Sequence, residues 1–104
     1  MTALTLASPP AILRLVETTL EQSLVRAAEG DQRAFAEVYD ATSPRVFGLV
    51  LRILVDRAQA EEVAQEVYLE AWRQAKRFDP DRGAAISWLL QIAHARAEIG
   101  RAHV

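Results

Sequence analysis

Cysteine is missing altogether, which removes disulfides and thiolate metal sites at once. The absence fits a reducing cytosol, so a cytoplasmic location is expected. Long apolar runs are missing too, and no stretch approaches the ~20 residues of a membrane span. The first residues, MTALTLASPPAILRLVE, put no basic residue ahead of their apolar part and include Pro9 and Pro10, which makes a poor signal peptide. Neither β-type alternation nor an internal repeat is visible. Convergent catalytic sets are scarce as well. Ser8, Ser23, Ser43 and Ser87 have no nucleophile elbow around them. His94 and Glu98 share a helix face, but a structural metal site takes about four ligands and no third is evident. Glu61, Glu62, Glu66 and Glu70 lack the Glu-x-x-His companions of a di-iron bundle. No enzyme, metal site, small-molecule substrate or membrane partner is expected.

What is present describes one small globular domain. The 104 residues are 51% hydrophobic and 25% charged. The net charge of −2 hides an asymmetry. Residues 1–72 hold six arginines against eleven carboxylates, a balance of −5. Residues 73–104 hold six cations against Asp79, Asp81 and Glu98, a balance of +3. An acidic body with a basic end suggests two different partners, one of them a polyanion, and competes with a plain solvated surface.

Helical spacing runs through the chain. Residues 1–17 read as a loose extension, with Ile12, Leu13, Leu15 and Val16 as a weak helix start. Thr18 with Glu21, or Thr19 with Gln22, predicts a capping box for a helix to about Ala28. Leu20, Leu24 and Ala27 form its apolar stripe. Gly30 ends that helix and Asp31 caps the next. Phe35, Val38, Tyr39, Val46, Leu49, Val50, Ile53 and Leu54 predict one long helix to about Val55, with Pro44 as a bend or break. A third helix is expected over 58–75, with Ala60, Val63, Ala64, Val67, Ala71 and Ala75 inward. The basic loop Lys76 to Gly83 follows, and a last helix starts near Ala84. The expected fold is all-α, a compact bundle of about four helices.

The third helix raises a question of its own. Glu62, Glu66 and Glu70 stack at four-residue spacing, and such like-charged pairs cost an isolated helix roughly 0.2–0.5 kcal/mol each. Leu69 and Trp72 lie beside this ladder. The segment AEEVAQEVYLEAW is preceded by GDQRAFAEVYDATSPRVFGLVLRIL and followed by FDPDRGAAISWLLQIAHAR. In that order the three resemble the second conserved region of extracytoplasmic-function sigma factors of the sigma-70 family, over roughly residues 22–97. The resemblance implies a helical domain over 18–97 that needs no cofactor. Its implied partners are core RNA polymerase, through the coiled-coil clamp of the largest subunit, and the melted promoter −10 element. An anti-sigma factor is a further possible partner.

Carried over by position, Glu62, Gln65, Glu66, Leu69 and Arg73 would form the polymerase-docking face. A basic partner would relieve the ladder, while Tyr68 and Trp72 suit the core better than a contact. Arg77, Phe78, Arg82, Ser87, Trp88, Gln91 and Arg96 would form the DNA-binding set. The Phe78–Ser87 loop is its pocket and Phe78 its best stacking candidate, while Trp88, which invites stacking, suits the core better. Two departures stand out. Ala95 replaces the asparagine common in the WL-x-x-IA-x-N pattern, and the usual arginine cluster gives way to AEIGRAHV. A sequencing adapter encodes EIGRAHV, so residues 98–104 read as a non-native tail. The rival reading is a helical protein–protein module without a nucleic-acid role. A helix-turn-helix regulator is weaker, because no short turn precedes a recognition helix.

Overall fold

The computed structural model describes residues 19–102. The weak helix start and the loose extension fall outside these residues. The described chain is all-α: α1 Leu20–Ala28, α2 Gln32–Leu54, α3 Arg57–Gln74, a 3-10 turn Ala75–Arg77, and α4 Ala85–Ala102.

The first three starts have local causes. Thr19 accepts the Gln22 amide (3.0 Å) and Gln22 Oε1 accepts the Thr19 amide (3.1 Å), closing a capping box that satisfies two orphan donors. Gly30 turns the chain out of α1 at φ +99°, a conformation glycine adopts without penalty. Asp31 accepts from Ala34 N at 3.0 Å, and Asp56 accepts from Gln59 N at 2.9 Å. Pro44 lies inside α2 without breaking it. The turns around it are pinned by buried Val38, Thr42, Val46 and Val50, so packing outweighs the missing amide.

The core is a set of branched side chains set among alanines. Leu24, Val38, Val46, Val50, Val67 and Leu89 are fully enclosed, each stabilising the fold by roughly 1.5–3 kcal/mol. Ala27, Ala34, Ala60, Ala71, Ala75, Ala85, Ala93 and Ala97 are buried between them and let the helix axes approach closely. Tyr68 is also inside, and Ala64 is only partly so.

Two long-range contacts fix α4. Glu21 Oε2 on α1 accepts from Ala85 N at 2.7 Å, so a side chain 64 residues away caps the first turn of α4. At the other end α4 continues past residue 97 to Ala102, with Gly100 against Leu54 and Val63. Gln59 Nε2 donates to Gly100 O at 3.3 Å.

Candidate functional site

The outer face of α3 carries Glu62, Gln65, Glu66, Leu69 and Arg73, all exposed. The sequence spacing places them around one side of the helix, and the inward stripe of Ala60, Val63, Val67 and Ala71 forces that side out. Leu69 stands 55% exposed in the middle of it. The ladder is relieved unevenly. Arg96 reaches across from α4, with Nη2 2.9 Å from Glu70 Oε1 and Nη1 3.8 Å from Glu66 Oε1. Arg73 adds a loose contact to Glu70 at 4.0 Å, and Gln74 donates to the same carboxylate. These donors, the Arg96 hydrogen bond first, hold the Glu70 carboxyl below its ordinary pKa. Glu62 has no ion pair among the described residues. The acidic face of α3 therefore has a paired end at Glu66 and Glu70 and, at Glu62, an end without an ion pair among the described residues.

Trp72 departs from its expected place. It is 37% exposed, and packs edge-on against Phe35 at 5.2 Å. Tyr39, 47% exposed on α2, packs on Tyr68 at 4.7 Å. Both are exposed aromatic groups on the described surface. Sequence spacing missed them because both positions fall at the margin of an inward stripe, where neighbours decide exposure.

The second cluster lies where α3 gives way to α4. The 3-10 turn ends at Phe78, and a tight turn follows. Asp79 Oδ1 accepts from Asp81 N (2.9 Å) and Asp79 O accepts from Arg82 N (3.0 Å), with Pro80 pre-setting the bend. This turn and the start of α4 enclose a hollow of about 260 Å³. Its lining includes Arg77, Phe78, Arg82, Ser87, Trp88 and Gln91, six of the seven residues named for DNA contact. Arg77, Arg82, Ser87 and Gln91 are exposed.

Phe78 needs correction as a stacking candidate, and Arg96 stands apart from the hollow. Phe78 is 8% exposed and packs edge-on against Trp88 at 5.6 Å, so its ring is a wall of the core and not a free stacking face. Partly buried Trp88 is the aromatic with surface to offer. Arg96 does not line the hollow, being held on the acids of α3. No motif signalled that pairing, since Arg96 and Glu70 lie 26 residues apart.

His94 Nε2 lies 3.5 Å from Glu98 Oε2 on the surface of α4, and Glu98 also accepts from Arg101. No cluster of three metal-ligating side chains occurs among the described residues. No described helix is long and apolar enough to cross a membrane.

The bundle thus joins an acidic helix face with exposed apolar groups to a basic hollow, a pairing that defines a class. Residues 38–98 match the family described as Sigma-70 region 2, and the chain belongs to that family. It is similar to the ECF RNA polymerase sigma factor SigK of Mycobacterium bovis (strain BCG / Pasteur 1173P2), 51% identical over 82 residues, covering 79% of this chain and 44% of that one. SigK of Mycobacterium tuberculosis (strain ATCC 25618 / H37Rv) matches to the same extent. SigK of Mycolicibacterium vanbaalenii is 47% identical over 97 residues, covering 93% of this chain and 50% of that one. The chain spans about half the length of the curated relatives it matches.

Proposed function

We propose that this domain acts in transcription initiation, docking core RNA polymerase through the outer face of α3 and holding the melted −10 strand at the hollow before α4. The observation that carries the reading is the hollow itself. A single concavity gathers Arg77, Arg82, Ser87, Trp88 and Gln91 at the basic end of an acidic domain. Its two guanidinium groups suit phosphates, its hydroxyl and amide suit base edges, and an indole on its wall suits stacking. Base–aromatic stacking contributes roughly 1–3 kcal/mol per base, and Trp88 would supply it. A hollow of about 260 Å³ suits one extruded base, not a duplex groove. The work of the domain is binding and positioning, with no bond chemistry.

On the docking side, Leu69 and the unpaired Glu62 support a partner that is cationic and has an apolar notch, as the polymerase clamp would be. Burial of Leu69 in such a complex would repay its exposure in the free domain.

Fluorescence anisotropy with a −10-like single strand and a matched duplex tests the DNA half, with core polymerase present. The wild type is expected to prefer the single strand, and Arg77→Ala/Arg82→Ala to lose most of that binding. Equal binding to both DNAs, or no effect of the double substitution, would leave a helical protein–protein module as the better reading.

A further inference from the structure

Arg96 is the cation that the strand-binding site lacks. It lines, with Glu70 and Gln74, a groove of about 530 Å³ between α3 and α4, and that groove shares Trp88 and Gln91 with the hollow. A strand leaving the hollow over Trp88 would run towards Arg96. The guanidinium is already engaged there, by Glu70 of the same groove at 2.9 Å and by Glu66 at 3.8 Å. Those two carboxylates belong to the helix whose outer face is read as the docking surface. They differ in reach from outside. The Glu66 side chain is 54% exposed and open to a partner, whereas Glu70 is 22% exposed and Arg96 33%.

We infer that Glu66 and Glu70 hold Arg96 in reserve, so that a cationic surface docking on α3 takes over Glu66, weakens the hold and makes Arg96 available to a strand phosphate. The inference rests on the proposed docking and strand-binding roles and adds the link between them. One guanidinium cannot fully satisfy two carboxylates and a phosphate, so the carboxylates and the strand compete for it. A partner cation at Glu66 weakens one side of that competition. By linkage, strand binding in turn leaves Glu66 more available to the partner. The Glu70 carboxyl, held below its ordinary pKa mainly by Arg96, reflects how strongly the guanidinium is engaged in the undocked domain.

The test removes the hold without the partner. Single-strand binding by the isolated domain is measured by anisotropy across a salt series, for wild type and Glu66→Gln/Glu70→Gln. Two comparisons accompany it: a charge-matched Glu61→Gln/Glu62→Gln pair on the same helix, and Glu66→Gln/Glu70→Gln combined with Arg96→Ala. Freed Arg96 should tighten binding well beyond the charge-matched pair. It should also steepen the dependence on log salt by roughly 0.7, the share of one added phosphate contact on a single strand. Both gains should vanish in the Arg96→Ala background. A gain equal to that of the charge-matched pair, one that survives Arg96→Ala, or no gain at all would overturn the inference. The same titration with core polymerase separates the two levels. Wild type that binds no strand even with polymerase refutes the proposed function itself.

Discussion

Thr42 and Tyr68 show how a single buried hydroxyl pair is settled by counting protons. Thr42 Oγ1 donates to Val38 O at 2.7 Å, so its one proton is committed, and Tyr68 must be the donor in the 2.8 Å contact between them. Burial pushes the Tyr68 phenol up to about 12. Tyr68→Phe is expected to cost about 1 kcal/mol in chemical denaturation. The folded state keeps a proton that an unfolded tyrosine releases near pH 10, so wild-type stability should fall as pH rises past that point. The variant should fall less. Equal alkaline slopes would place Tyr68 in contact with solvent.

Glu21 behaves in the opposite sense. The amide of Ala85 is the first cause holding its carboxyl below the ordinary pKa. Its contribution is therefore present above the ordinary glutamate range and lost as pH falls through the lower folded value. Glu21→Ala should cost about 1 kcal/mol near neutrality, the scale of a lost helix cap. The gap to wild type should close in acid, and a gap constant with pH would point to packing instead of charge. Neither interaction was legible in the sequence. Thr42 and Tyr68 are 26 residues apart and Glu21 and Ala85 are 64 apart, and pattern reading sees only near neighbours.

Elements were far more legible, because their signals are local. Thr19 with Gln22 and Gly30 with Asp31 stand where capping chemistry required them. Pro44 was ambiguous for the same reason, since a local rule cannot weigh four buried side chains holding α2 straight on. The helix ends conceal one oddity. Val55 closes α2 at φ +67°, a left-handed conformation that a β-branched side chain resists, and it is 81% exposed. Val55→Asn should raise stability by about 1 kcal/mol, because asparagine tolerates that conformation and no packing is lost. An unchanged or lower thermal midpoint would show the valine to be unstrained. At the other end of the bundle, deleting residues 98–104 should cost less than about 2 kcal/mol. The described part of that segment is partly or fully exposed, apart from the approach of Gly100 to Leu54 and Val63. A larger loss would mark it as an integral part of the core.

At the scale of the molecule, the candidate site was legible where it is contiguous and illegible where helices bring distant residues together. The hollow is built from residues 77–91, so its spacing and turn chemistry survive in a linear reading. The sharing of Arg96 between two helices does not. The charge division also survives, −5 against +3, and it carries a salt dependence. If Lys76, Arg77 and Arg82 each neutralise one phosphate, single-strand affinity should fall with a slope of about −2 against log salt. A flat dependence would remove phosphate contact from the reading.

Docking is the central claim of the proposed function, resting on Leu69, 55% exposed, and on Glu62, which has no ion pair among the described residues. The direct measurement is capture of core RNA polymerase by the wild-type domain and by Glu62→Lys/Leu69→Ala, which leaves the Arg96 contacts untouched. Both positions are exposed, so the variant should unfold with a midpoint close to that of wild type. Its affinity for core polymerase should fall by at least about tenfold, a loss of 1.4 kcal/mol. A folded variant captured as well as wild type would contradict the assignment of α3 as the docking helix.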